Sequence, residues 1–337
     1  MAEPQFDLDV VLSLFDGISC GQEALKKAGI STRIFLASEI EKYPKMITRK
    51  NHPLTVQLGD VRNVVADDLP HVNLLMGGSP CQGFSFAGKQ LNFDDPRSAL
   101  FFEFVRLLKE CKPDYFLLEN VMMKKEFKDI ITEHLGVEPV MINSSLVSAQ
   151  NRKRLYWTNI PEVGQPDDKG ILLKDVLEDF VGDRHSELEK HILSGKAVKT
   201  ITRHNNRIVK EQRNPDKSAT IHAGYYKMGG RDQQYLIDRE PKVCGRIIGR
   251  KINPETGKRD DYNPDLNLEP RIETRLDEKT GTLTTVTKDN VVVEGPTYRK
   301  LTPVECERLQ TLPDNYTEGV SNTQRYKALG NGWTVDV

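Results

Sequence analysis

Val72-Asn73-Leu74-Leu75-Met76-Gly77-Gly78-Ser79-Pro80-Cys81-Gln82 sets an apolar run directly against a Gly-Gly turn, a proline and a single cysteine. A short apolar run bounded by turn residues predicts a buried strand, of the kind found in parallel sheets covered on both faces. Such sheets bind ligands outside the carboxyl ends of their strands. Glycine frees the backbone and proline fixes it, so Cys81 is expected on a shaped turn where a substrate can sit. The competing reading is a small buried hydrophobe, the ordinary fate of a lone cysteine. Residues 77–82 alone do not decide between them.

On either side of this stretch, strand-like and helix-like patterns alternate. Val10–Leu14, Ile34–Ala37, Val72–Met76 and Tyr115–Leu118 read as buried strands, the last ending at Glu119-Asn120. Gln22–Ala28, closed by Gly29, and Glu41–Lys50 read as helices. Ser98–Glu110 predicts a strongly amphipathic helix, with Leu100, Phe101, Phe104, Val105 and Leu108 on one face and Pro113 as its stop. Alternation of this kind implies a mostly parallel sheet with helices on both faces, a Rossmann-like α/β lobe over residues 1–160.

From 161 to 296 glycine, proline and charge rise, and short β-rich segments replace helical periodicity. Asp216-Lys217-Ser218-Ala219-Thr220-Ile221 weakly resembles Glu278-Lys279-Thr280-Gly281-Thr282-Leu283, each followed by an aliphatic strand signal. Helical signals return after Tyr298, with Thr302-Pro303 opening a helix that runs through Gln310.

With 337 residues the chain can bury a large core and divide into two lobes. Its five cysteines, Cys20, Cys81, Cys111, Cys244 and Cys306, are odd in number and widely spaced. That is neither a disulfide framework nor a zinc motif, and it fits a reducing compartment. The first residues carry no secretory signal, and no apolar run reaches membrane-spanning length. The net charge of −1 hides an asymmetry: Lys199–Arg259 holds 15 Lys and Arg against 6 Asp and Glu, so the remainder is acidic. A basic segment in an acidic protein is a footprint for a polyanion. His204, His222, Tyr225 and Tyr226 interleave with these charges and can stack on bases or bond to their edges, which favours nucleic acid.

Phe15-Asp16-Gly17-Ile18-Ser19 follows the first strand and opens the first helix, where glycine admits a ligand and free N–H groups face it. Glu39, at the end of the second strand, stands where this architecture places a carboxylate on ribose hydroxyls. Asp60 follows the third strand and suits an exocyclic amine. Three carboxylates suit a nucleoside and repel a phosphorylated one, which points to the cationic S-adenosylmethionine over NAD. Glu119, if its strand neighbours that of Cys81, faces the same pocket. A thiol and a carboxylic acid together suit addition to an electron-poor ring such as cytosine, with attack at C6 and protonation at N3.

The order of these motifs resembles the cytosine-C5 DNA methyltransferases over residues 10–160 and 297–337. The matching pieces are Phe15-Asp16-Gly17, Glu39, Gly59-Asp60, Pro80-Cys81-Gln82, Glu119-Asn120-Val121 and Gln150-Asn151-Arg152-Lys153-Arg154. Arg299-Lys300-Leu301-Thr302 with Glu305, Arg308 and Gln310, and then Gly330-Asn331-Gly332, complete the set. Each piece alone is common; all in this order are specific. The resemblance implies a Rossmann-like S-adenosylmethionine-dependent methyltransferase lobe, residues 1–160 and 297–337, with a smaller, β-rich target-recognition lobe, 161–296. It implies Cys81 as nucleophile, Glu119 as the N3 acid, and Arg152 and Arg154 beside a flipped base.

The cofactor pocket expected for S-adenosylmethionine, converted to S-adenosylhomocysteine, comprises Phe15, Asp16, Gly17, Ile18, Ser19, Glu39, Ile40, Asp60, Val61, Pro80, Leu100, Asn331, Gly332 and Trp333. DNA contacts are expected from Gln82, Ser85 and Arg97 in a closing loop, and from Arg203, Lys227 and Arg231 in the small lobe. The expected substrate is double-stranded DNA, the candidate companion a restriction endonuclease, and the expected state a monomer without metal or membrane. The expected location is the cytoplasm of a prokaryotic or phage-infected cell, at the nucleoid. Family members continue beyond the position of Val337, so a truncated C-terminus is also expected. A tRNA cytosine methyltransferase shares the Pro-Cys and Glu-Asn-Val motifs; the long basic insert and Ser85 favour DNA. A non-catalytic DNA-binding regulator is the third reading, and retention of Cys81, Glu119 and Arg154 argues against it.

Overall fold

The structure is a computed structural model that describes residues 7–80, 99–178, 223–224, 244–251, 268–274, 280–281, 286–287, 291–294 and 297–337, with backbone alone over 223–299. Two compact units emerge: residues 1–143, 153–166 and 337, and residues 144–152 with 167–336.

The first unit is built on β1 (Leu8–Leu14), α1 (Cys20–Lys27), β2 (Thr32–Ser38), α2 (Lys42–Asn51), β3 (Val56–Gln57) and β4 (Leu74–Gly77). It continues through α3 (Ala99–Cys111), β5 (Tyr115–Val121), α4 (Lys125–Leu135) and β6 (Val140–Asn143). After β7 (Gln150–Asn151), which belongs to the second unit, comes β8 (Lys153–Thr158). One sheet joins these strands in the order β3-β2-β1-β4-β5-β8-β6. The first five are mutually parallel, and β8 runs antiparallel to both its neighbours.

Winding reverses between β1 and β4. Connections from β1 move one way across the sheet and those from β4 the other, so right-handed crossovers put α1 and α2 on one face and α3 and α4 on the opposite one. Side-chain alternation along β1 agrees: Val10, Leu12 and Leu14 join one buried cluster with Phe101, Phe104 and Leu107 of α3 and Ile131 of α4. The α3 face differs slightly from its expected form. Leu107 is fully buried, while Leu100 and Leu108 are half-buried at the cluster's margin.

Gly77 lets this face close. A Cβ there would lie 2.9 Å from the Leu14 carbonyl and 3.3 Å from the Phe104 ring. At the opposite edge Asn73 ties three strands: its Oδ1 accepts from Val10 N (2.9 Å), its carbonyl from Tyr115 N (2.8 Å), and its N–H donates to Val10 O (2.9 Å).

β5 ends at Val121, within one residue of the expected Glu119-Asn120 end, and β8 pairs Glu119 with Tyr156, Asn120 with Leu155 and Val121 with Arg154. Local hydrophobicity carries no trace of this partner, which is supplied by chain some 30 residues on. Elsewhere the strand and helix expectations in this unit hold to within a few residues.

The second unit contains β9 (Ala223–Gly224), β10 (Cys244–Lys251), β11 (Leu268–Thr274), β12 (Thr280–Gly281), β13 (Val286–Thr287), β14 (Val291–Glu294) and β15 (Thr297–Lys300). β11-β10-β14-β15 form an antiparallel sheet, whereas β12 pairs with β7 and β13 with β9, each in parallel. β9 and β13 each lie just after one copy of the weak internal repeat, so the chain following the two copies runs side by side. The aliphatic segment 235–237 lies outside the described residues. Among the described residues this unit also holds two α-helices, α5 (Pro303–Leu309) and α6 (Asn322–Asn331). α5 opens on a reciprocal cap: Thr302 Oγ1 accepts from Glu305 N (3.1 Å) and Glu305 Oε2 from Thr302 N (2.7 Å). Among the described residues no helix is long and apolar enough to cross a membrane.

Because the Gly77 backbone, Leu14 and Phe104 meet with no spare volume, Gly77→Ala is expected to destabilise the first unit by about 1–3 kcal/mol. Urea unfolding followed by the fluorescence of buried Trp157 reads this directly. An unchanged midpoint would mean that the strand yields there at no cost.

Candidate active site

The carboxyl ends of the parallel strands carry the candidate groups. After β1 the backbone enters the left-handed region at Phe15 (φ 55°), Gly17 (φ 60°) and Ser19 (φ 58°). Each non-glycine residue there costs roughly 1–2 kcal/mol. Hydrogen bonds on every side hold the loop. Asp16 N donates to Ser38 O (3.1 Å), Gly17 N to Glu39 Oε2 (2.8 Å) and Ser19 N to Asp16 O (3.1 Å). The Asp16 carboxylate accepts from Ser13 Oγ (2.7 Å) and from the hydroxyl of buried Ser19, which also meets Thr48 Oγ1 at 3.0 Å. Asp16 therefore holds the loop from within. Burial pushes its carboxyl up to about 6, against the opposing pull of the two serine hydroxyls.

Glu39, after β2, uses one oxygen for Gly17 N and the other for Glu41 N (2.7 Å). Each oxygen retains lone-pair capacity for a further donor. Ile40 beside it is 64% exposed. Asp60, after β3, caps the next turn by accepting from Arg62 N (3.0 Å), and Arg62 Nε reaches both its oxygens (3.0 and 3.1 Å). These bonds hold the Asp60 carboxyl down at about 2. Buried Val61 and the following turn are pinned to α3 by Arg106, whose Nη2 donates to Val61 O (3.2 Å) and Val64 O (3.1 Å). Arg106 escapes sequence reasoning because its ion pairs with Glu103 and Glu110 look like ordinary decoration of a helix surface.

On the other side of the reversal, Asn120 Nδ2 donates to Ser79 Oγ (3.1 Å) and Ser79 O (3.4 Å), tying the Gly78-Ser79-Pro80 turn to β5. That turn leads to Cys81, which lies outside the described residues with Gln82, Ser85, Arg97, Arg203, Lys227 and Arg231. Glu119 is buried (8% exposed), and Arg154 Nε stands 2.8 Å from its Oε1. The N–H is turned off that oxygen, so neither atom makes a directed hydrogen bond; the contact is an ion pair by distance alone. Arg154 Nη1 donates to Lys153 O (2.9 Å). Antiparallel pairing accounts for the meeting: Arg154 sits opposite Val121, diagonal to Glu119.

In the second unit Arg152 is 3% exposed and donates to the carbonyls of Gly330 (3.3 Å) and Gly332 (2.8 Å). Asn331 is exposed and Trp333 half-buried on the same turn. In the first unit Ile18 is buried, and Pro80 and Leu100 are half-buried. No cluster of three or more potential metal ligands occurs among the described residues.

The family model for C-5 cytosine-specific DNA methylase matches residues 10–337. The chain belongs to this family. Its relatives include the orphan methyltransferase M.SPRI of Bacillus phage SPR, 28% identical with 97% of this chain and 95% of that protein covered. The type II methyltransferase M.NlaIV of Neisseria lactamica is 27% identical, with coverages of 97% and 96%. A methyltransferase of Entamoeba histolytica, EhMeth, shares the fold at a TM-score of 0.63, 16% identity and coverages of 97% and 94%. DNMT2 of Spodoptera frugiperda does so at 0.59 and 19%, with coverages of 97% and 96%.

This methylase is a DNA (cytosine-5-)-methyltransferase, and its methyl donor is S-adenosylmethionine. The carboxyl edge of the first unit fits that donor: an aliphatic side chain left open at Ile40 lies next in sequence to Glu39, whose carboxylate can still accept.

The Asp16 environment makes a signed pH prediction. Its carboxyl sits above the ordinary 3.8, so it disfavours the folded state progressively as pH rises from about 4 to about 6, and at a constant level above that. Asp16→Asn is expected to be more stable than the native chain at pH 7, relative to pH 4, by at most about 3 kcal/mol. Solvent reaching the group lowers that ceiling. Denaturant unfolding at the two pH values measures it; equal differences would show that Asp16 carries no such strain.

Proposed function

We propose that Cys81 is the nucleophile of this methyltransferase and that Glu119 and Arg154 form the pocket for an extruded cytosine. The observation that carries the reading is the buried Glu119–Arg154 pair, reached from the turn that leads into Cys81. The thiolate adds to C6 while Glu119 delivers a proton to N3, so the ring becomes an enamine with a nucleophilic C5. Arg154 holds the Glu119 carboxyl in place and offers its guanidinium to O2. S-adenosylmethionine, when bound, supplies the electrophilic methyl group and leaves as S-adenosylhomocysteine. Loss of the C5 proton to solvent and return of the N3 proton to Glu119 then expel Cys81 by β-elimination.

Glu39 takes the ribose hydroxyls, Asp60 and Val61 the adenine amine side, and Ile40 packs on the ring; Phe15, Gly17, Ile18, Ser19, Pro80 and Leu100 complete the wall. Asn331, Gly332 and Trp333 are further residues assigned to the cofactor. The buried loop bonds of Asp16 support a shaping role for it in this pocket. Extruding the base costs a few kcal/mol, recovered through these contacts and through groove filling by residues 82–97.

Residues 161–296 form the target-recognition region, with Arg203, Lys227 and Arg231 among its phosphate or base contacts. Its balance of +9 over Lys199–Arg259 supplies a salt-sensitive hold on duplex DNA. The enzyme acts as a monomer, without metal, in the cytoplasm of a bacterial or phage-infected cell at the nucleoid. One relative is described as an orphan methyltransferase and another as type II, so a companion restriction endonuclease is the natural partner to seek.

Incubation with labelled S-adenosylmethionine and duplex DNA should yield 5-methylcytosine, and N4-methylcytosine or methylated tRNA alone would overturn the reading. Glu119→Gln is expected to lower kcat about 100- to 10,000-fold. Cys81→Ser should abolish the covalent adduct with 5-fluorocytosine DNA, and an adduct that persists would remove Cys81 from its role.

A further inference from the structure

Helix α6 ends at Asn331, and the last carbonyls of a helix have no partner within it. Here two side chains from elsewhere in the second unit serve them. Gln310 Nε2 donates to Leu329 O (2.6 Å) and Gly332 O (3.2 Å), and Arg152 donates Nη1 to Gly330 O and Nη2 to Gly332 O. Gln310 is fully buried and Arg152 nearly so. The other end of the Gln310 amide is anchored too: Oε1 accepts from Gln150 Nε2 (3.1 Å) and Thr334 Oγ1 (2.9 Å). Gln150 Nε2 and Ser148 Oγ both donate to Leu309 O, at 3.0 and 2.6 Å. Three separate segments, 144–152, 309–310 and 329–334, are thus fixed to one another by buried polar bonds.

The consequence falls on Asn331. Carbonyls on both sides of it are drawn inward, and its own residue is left exposed. Arg152 spends the fork of its guanidinium on two backbone oxygens, a geometry that lysine, as a point donor, cannot reproduce. Two residues on, Arg154 faces Glu119 instead.

We infer that Arg152 is a positioning residue for the S-adenosylmethionine site, acting through the Gly330–Trp333 turn, and that Arg154 alone of the pair serves the cytosine. This rests on the reading that Asn331 and Trp333 line the cofactor site. Gln310 belongs to the same device.

Two measurements separate the arms. One is the affinity for S-adenosylmethionine, by calorimetry and as KM. The other is cofactor-free release of tritium from DNA carrying cytosine tritiated at C5. In that exchange Cys81 adds to C6, C5 takes a solvent proton and loses tritium, and Cys81 is expelled. Arg152→Gln is expected to weaken S-adenosylmethionine binding about tenfold or more, the scale of a lost bond to a charged group, and to leave exchange near the native rate. Arg154→Ala should do the reverse. Exchange lost in Arg152→Gln with cofactor affinity intact would overturn the inference, and so would equal losses in both, which mark a merely structural residue. Should Arg152→Gln not fold, Arg152→Lys, which keeps the charge and one bond, answers the same question with a smaller shift. A native enzyme that neither exchanges nor methylates would defeat the Cys81 and Glu119 assignments instead, and the binding arm would still judge Arg152.

Discussion

Everything at the candidate site depends on the reversal of winding between β1 and β4. Two adjacent parallel strands whose connections leave in opposite directions open a crevice at their carboxyl ends, since no loop crosses it. The Phe15–Ser19 loop stands on one side and the Ser79-Pro80 turn on the other. The reversal is tightly built: Asn73 locks the amino edge through three strands, and Gly77 gives up its side chain so that Leu14 and Phe104 can close over the ladder.

The carboxylates on this edge occupy three distinct electrostatic settings. Asp16 points into the protein and titrates high; Asp60 is clasped by Arg62 and titrates low; Glu39 rests on two backbone N–H groups. A uniform negative rim, the simplest sequence-based picture, is therefore too coarse. One acid organises the loop, Glu39 keeps lone pairs for a further donor, and Asp60 is taken up by Arg62. Burial and partner choice made the distinction, and neither follows from residue spacing.

Much of the first unit was legible because its signals are local. Runs of four or five mostly apolar residues marked four of the five parallel strands, and glycines at Gly17 and Gly29 marked turns with positive φ. Thr302-Pro303 gave the start of α5, since proline suits the first helical position. What escaped depends on distant chain. β8, the antiparallel partner of β5, left no local signal, and Leu107 is buried deeper than Leu108 on the α3 face because of how that helix settles on the sheet. Arg152 and Arg154 are indistinguishable as letters in one motif. Only the fold turns the first toward the Gly330 and Gly332 carbonyls and the second toward Glu119.

The antiparallel course of β8 has an implication for which sequences this fold can accept. In a parallel sheet residues at the start of a strand lie far from the catalytic edge; reversal brings the start of β8 to that edge, with Arg154 opposite Val121. Arg152, one residue upstream of the ladder, is already committed to a different set of partners. The single residue between the arginines is thus a fixed spacer. One inserted or deleted residue would turn every β8 side chain to the wrong face, moving Trp157 out of the core as surely as Arg154 from the edge. Length variation among descendants of this chain should therefore collect in the long segment after Pro166 and spare the five residues from Gln150 to Arg154.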